Sequence, residues 1–174
     1  MSKRTSYWNY KKIFKKYKGK HDVFIESGTH TGDSVCDAID LGFKKIYSVE
    51  INKKFYDESV RKINKHYPDA IESGQVTLKC GDSREWIPIY LDMIGNKSAL
   101  IWSDAHHGSD IPTGVELNAI IAREQNYHTI VIDDMGLHVD ESQMDLYCST
   151  INPKYKTEYF NDITTSVQKV YYVK

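Results

Sequence analysis

The first 20 residues contain no acidic side chain, the cysteines form no CxxC pair, and no apolar run approaches the span of a bilayer. Each absence excludes something. The three cysteines, Cys36, Cys80 and Cys148, are an odd number without paired spacing. They suggest neither a disulfide framework nor a zinc cage, and a reducing, cytoplasmic setting is the expectation. A bilayer-crossing helix needs about 20 consecutive apolar residues, so no transmembrane segment is expected. The opening MSKRTSYWNYKKIFKKYKGK is polar and basic throughout and lacks the apolar core of a signal peptide.

What is present is an ordinary globular composition. With 174 residues, 40 % hydrophobic and 27 % charged, the chain fits one domain with a real core. Its net charge of −1 hides an asymmetry. Eight of the 23 basic residues fall within positions 1–20, which leaves 15 against 24 acidic ones, a balance of −9. A chain this acidic beyond its first segment is a poor candidate for broad nucleic-acid binding.

Residues 7–18 show helical spacing, with Tyr7, Tyr10, Phe14 and Tyr17 three or four apart. From there β-rich runs alternate with helical segments. Strands are expected at 23–26, 44–50, 75–81, 98–104 and 128–134. The helices after them are expected at 32–40, 53–66, 84–93, 114–124 and 141–150. Two further runs, 155–160 and 167–174, read as a terminal hairpin. Apolar runs such as IVI and ALIW suit strands buried on both faces. The expected fold is α/β: a doubly wound, mostly parallel seven-stranded sheet, Rossmann-like, closed by a C-terminal antiparallel hairpin. Residues 1–20 read as a basic amphipathic helix packed on a single domain, 21–174.

Ligands of such sheets bind beyond the carboxyl ends of the strands. The residues there are Glu26, Glu50, Gly81-Asp82, Asp104 and Asp133-Asp134, nearly all acids. In the first turn, VFIESGTHTGDSV, the spacing is Glu26-x-Gly28-x-x-x-Gly32, and His30 stands where a dinucleotide fingerprint needs its second glycine. A carboxylate at 26 would also repel phosphate. The pocket suits a cofactor with positive charge and no phosphate, and S-adenosylmethionine has an ammonium, a sulfonium, a ribose diol and an adenine.

The run ESGTHTG, with VE at 49–50, GDS at 81–83 and SDAH at 103–106, resembles the class I S-adenosylmethionine-dependent methyltransferases. The resemblance extends over nearly all of the chain from residue 22. It implies that Glu26 holds the methionyl ammonium through water, and that Gly28, Thr29 and Gly32 form the turn along the cofactor. It further implies that Glu50 accepts both ribose hydroxyls and that Asp82 receives the adenine amino group, with the Ser83 N–H facing a ring nitrogen. The plainer reading of Glu50 and Asp82 is that they cap the next helices.

The pattern is most similar to metal-dependent O-methyltransferases acting on sugars and other small molecules. That likeness implies a Mg²⁺ ion on Asp104, Asp133 and Asp134, carboxylates being suited to a hard divalent ion. Asp104 then belongs to the cofactor, metal and catalytic sets together. His106 is the candidate general base, because an imidazole titrates near neutrality, with His107 and His138 as alternatives. The competing view is that these are turn and surface residues. Glu116 reads as a first-turn acid favoured by the helix dipole. His21, His66 and His128 lie away from the strand ends.

The lysines of the first helix read either as a solvated face or as an attraction for an anionic substrate or membrane surface. The acceptor would be reached openly or be shielded by a second copy in a homo-oligomer. The expected activity is metal-assisted O-methylation of a sugar or other small hydroxylated molecule. The alternatives are a non-catalytic S-adenosylmethionine-binding module or subunit, and a dinucleotide oxidoreductase, which Glu26 and His30 disfavour.

Overall fold

The computed structural model describes residues 10–106, 109–161 and 167–173. Tyr7, His107 and Lys174, all part of the expectations above, lie outside them. The described chain begins with α1 (Tyr10–Lys18), β1 (Val23–Ser27), α2 (Asp33–Asp40), β2 (Lys45–Glu50) and α3 (Lys53–His66). It continues with α4 (Pro68–Glu72), β3 (Val76–Cys80), α5 (Ser83–Ile94), β4 (Ala99–Ser103) and α6 (Thr113–Ile121). It ends with β5 (Thr129–Ile132), α7 (Glu141–Ile151), β6 (Lys156–Asn161) and β7 (Val167–Tyr172). The strands form one seven-stranded sheet in the order β3-β2-β1-β4-β5-β7-β6. The first five are parallel, and β7 runs antiparallel to both β5 and β6.

Helix α4 is the element that periodicity does not reveal. Pro68 at its first position has the φ a helix start needs and no N–H to leave unpaired, so a single turn forms directly after α3. The longer helices start on side-chain caps: Asn52 accepts from the Lys54 N–H, Asp82 from Arg84 and Asp140 from Gln143.

The two faces of the sheet are covered by different helices. Val23, Ile25, Ile101, Ile130 and Ile132 meet α5, α6 and α7 on one side. Phe24, Ile46, Leu100, Trp102 and Val170 meet α1, α2 and α3 on the other. The chain changes face after β3, when it crosses from the sheet edge back to β4 beside β1. The carboxyl ends of β1 and β4 therefore flank a crevice, the usual binding place of such sheets.

Helix α1 belongs to this packing. Ile13, Phe14 and Tyr17 are buried, and the Phe14 ring lies 4.8 Å from Phe24 and 5.2 Å from Trp102. Lys11 reaches Asp37 and Asp40 on α2, and Lys16 pairs with Glu158 on β6. Exposed pairs of this kind contribute little, so the aromatic contacts hold the helix. At the opposite end of the sheet His21 and His128 are neutral core residues: burial lowers each to about 4. Phe14→Ala is expected to cost about 3–5 kcal/mol, the usual loss for a buried aromatic. Denaturant unfolding of the two chains measures it, and a loss below about 1 kcal/mol would mean that α1 is not part of the core.

Candidate active site

The crevice is a cavity of about 400 Å³, bounded by residues from the ends of β1, β2, β3, β4 and β5 and by Tyr10 of α1. That volume suits a nucleoside-sized ligand. The glycine turn forms one wall. Gly28 has φ 85°, and a Cβ there would stand 3.0 Å from the Asp104 carbonyl oxygen. Gly32 has φ 80°, and a Cβ there would stand 3.0 Å from Cβ of Ser59 on α3. Both glycines are thus required by close approach of the chain to itself, whatever else passes beside them.

Behind this turn Glu26 is fully buried. Its Oε2 accepts from the Ser48 hydroxyl at 2.6 Å, while Oε1 has no partner among the described residues. Burial, joined by the charge of Glu50, pushes its carboxyl up to about 7 against the bonds from Ser34 and Ser48. Thr29 is turned inward, its hydroxyl on Ser48 and its N–H on the Val49 carbonyl. Glu50 accepts from the His30 N–H at 2.6 Å and from the Asn52 N–H at 2.8 Å. It is Asn52 that caps α3, so Glu50 instead pins His30, which sits at φ 47° with its ring 4.3 Å from that of Phe55. Asp82 does cap its helix, and its second oxygen meets the Arg84 guanidinium at 3.3 Å. Arg84 also pairs with Asp110 across the cavity mouth.

The other wall is more acidic still. Asp104 is raised well above the ordinary carboxylate range, first by burial and then by Asp133, Glu26 and Asp134. Burial and the same four carboxylates push the Tyr10 phenol up. Ligand atoms of Asp104, His106 and Asp134 lie within 4.8 Å of one another. His106 Nε2 is 3.6 Å from Asp134, and its ring stacks on His138 at 5.0 Å.

Of the three aspartates expected at this point, Asp104 and Asp134 come together with His106, while Asp133 makes other bonds. Asp133 is buried and its Oδ1 accepts from the Asp134 N–H and the Gln168 amide, both at 2.8 Å. Asp134, at φ 52°, points its own carboxylate toward His106 instead. The histidine expected to be a base stands among the would-be ligands.

Glu116 is a first-turn acid of α6, as expected. It is also a buried carboxylate whose Oε2 accepts from Ser103 at 2.7 Å and Ser27 at 3.1 Å. Burial raises it, while the Ser83, Ser103 and Ser27 hydroxyls oppose the rise. Ser83 is thereby held on its hydroxyl side. Nothing local in the sequence signals this network or the entry of Phe55 into the cavity; for Tyr10 the one signal is the aromatic stripe of α1.

No protein-family model matches the sequence, and no curated protein does. Solved structures do match in fold. Methyltransferase FkbM from Methylobacillus flagellatus superposes with a TM-score of 0.66 at 14 % identity, over 88 % of this chain and 44 % of that one. A candidate caffeoyl-CoA O-methyltransferase from Staphylococcus aureus gives 0.63 at 12 % identity, over 99 % and 85 %. A methyltransferase candidate from Streptococcus mutans, in complex with SAH, gives 0.56 at 12 %, over 87 % and 89 %. The chain has the Rossmann-like methyltransferase fold.

Burial of Glu26 has a consequence for pH. A carboxyl raised from 4.5 to about 7 in the folded chain stabilises it below the lower value and loses that contribution as pH rises to the higher one. Glu26→Gln should therefore be more stable than the parent above about pH 7 and lose that advantage below about pH 5. Melting temperatures at pH 5 and pH 8 test this, and an advantage at pH 5 alone would refute it.

Proposed function

We propose that this chain transfers a methyl group from S-adenosylmethionine to an oxygen of a small hydroxylated molecule, with help from a divalent ion. The observation that carries the reading is one cavity at the β1–β4 crevice that unites the Gly28–Gly32 turn, Glu50, Asp82, Ser83 and Asp104. Behind it lies the Glu26 oxygen that has no donor among the described residues. These residues fit the cofactor. A buried acceptor without a donor suits an ammonium reached through water, and Glu50 and Asp82 suit a ribose diol and an exocyclic amine. The likeness of fold, including to a structure holding SAH, supports the same choice.

Bound S-adenosylmethionine supplies an electrophilic methyl carbon. The chain's own work is to place it and to exclude the wrong nucleophile. Gly28 seats the turn against the Asp104 backbone, so cofactor and acceptor sides are fixed to each other. Displacement at carbon gains chiefly from such positioning. Asp104, His106 and Asp134 would hold the divalent ion, which lowers the pKa of an acceptor hydroxyl. The donor set fits, because crowded carboxylates lose their repulsion when a cation joins them. An imidazole among oxygens favours Mn²⁺ over the Mg²⁺ that three aspartates would prefer. His138, stacked on His106, is then the nearer candidate to take the hydroxyl proton.

S-adenosylhomocysteine should raise the melting temperature, by about 2.7 kcal/mol of stabilisation at a hundredfold excess over its Kd, and NAD should not. Glu50→Ala should weaken that binding about tenfold or more, since two charge-assisted bonds go with it. A shift with NAD alone would overturn the cofactor assignment. Calorimetry reads both.

Metal binding separates the two ligand sets. Titration with Mn²⁺, followed by electron paramagnetic resonance, should show one bound ion that His106→Ala and Asp134→Asn weaken and Asp133→Asn largely spares. Loss with Asp133→Asn and none with His106→Ala would return the histidine to the role of base.

A further inference from the structure

A second cleft, of about 540 Å³, lies beside the first and differs from it in charge. Lys12, Lys15 and Lys16 of α1 line it, facing Glu158 and Phe160 of β6. Gln168 joins the two spaces. Its side chain lines the basic cleft while its amide donates to Asp133 Oδ1 on the wall of the acidic one.

The lysines of α1 are not equivalent. Lys11 is matched by Asp37 and Asp40, and Lys16 by Glu158. Lys12 and Lys15 meet no carboxylate among the described residues, although they lie three apart and so share a face of the helix. Neither does their exposure anchor α1, which is held by Ile13, Phe14 and Tyr17. Two uncompensated ammonium groups thus face a cleft with an aromatic floor, in a chain whose remainder is acidic.

We propose that this cleft seats an oxyanion of the methyl acceptor, which is therefore a small hydroxylated molecule bearing a phosphate or carboxylate group. The proposal rests on the methyltransferase reading above. Its physical basis is the charge contrast. The carboxylates of Glu50, Asp82, Asp104, Asp133 and Asp134 disfavour an anion in the first cavity, so the anionic end of an acceptor is better placed outside it. The cleft reached through Gln168 from Asp133 has three lysines against one carboxylate, Glu158. Ammonium groups on flexible stems act there as point charges, which suits phosphate. They would also steer an anionic acceptor toward a site whose own field repels it.

The test uses the full chain saturated with S-adenosylhomocysteine, with pyrophosphate as the phosphate probe and citrate as the carboxylate probe. Amide resonances of residues 12–16, 158–160 and 168 should shift on titration. The double variant Lys12→Glu, Lys15→Glu should bind the better probe about tenfold or more weakly, as charge reversal at a contact demands. Its affinity for S-adenosylhomocysteine should stay within about twofold, because neither Lys12 nor Lys15 lines the cofactor cavity. Whichever probe binds tighter names the oxyanion. Bound S-adenosylhomocysteine with no shift from either probe, or equal shifts in the variant, would overturn this proposal and leave the methyltransferase reading intact. Failure to bind S-adenosylhomocysteine at all would instead remove that reading. Sedimentation with phosphatidylserine vesicles, without shifts from either probe, would also overturn it, in favour of a membrane surface.

Discussion

Repulsion between carboxylates at the ends of three neighbouring strands is the constraint on which this molecule turns. Strands β1, β4 and β5 lie side by side, about 4.8 Å apart as in any sheet. Parallel register then brings Glu26, Asp104 and the Asp133-Asp134 pair to one edge. Buried like charges cannot all remain ionised without a counter-charge. The chain answers in three ways. It leaves Glu26 and Asp104 easy to protonate, it spends hydrogen bonds on Asp133, and it leaves Asp134 beside an imidazole. In the function proposed above, a cationic cofactor and a divalent ion would supply that counter-charge.

Such an edge can exist because the two faces of the sheet carry large apolar cores on opposite sides. Helix α1 contributes to one of them and brings a phenol into the cavity at the same time. Three of its lysines, Lys12, Lys15 and Lys16, line the second cleft. The ion pairs of Lys11 and Lys16 are solvent-exposed and add little to stability.

A second polar centre lies beneath the crevice. Glu116 of α6 gathers Ser27 from β1, Ser103 from β4 and Ser83 from α5. Ser27 and Ser103 adjoin residues proposed to hold the cofactor, and Ser83 is itself one of them. Its Oε1, like that of Glu26, has no partner among the described residues. A buried network of this kind, nearly but not wholly satisfied, fixes geometry strongly because any other arrangement leaves more groups unpaired.

Much of this was legible along the chain. Alternating strands and helices, the acids that end the strands and the glycine turn after β1 all depend on local pattern, and a local pattern is what a sequence carries. Strand ends needed only small adjustments, whereas α4 escaped because a single turn begun by Pro68 has no periodicity to detect. The glycines at 28 and 32 could be located but not explained: their reasons are the Asp104 backbone and the Ser59 side chain. Whether Asp133 or Asp134 faces His106 was decided by a left-handed turn at 134 and by Gln168 on β7. The partners of Glu116 on β1 and β4, and the place of Tyr10, were likewise decided by sheet order and by the change of face after β3. Residues 89 apart, such as Ser27 and Glu116, meet only once those strands are adjacent, and no single segment contains that information.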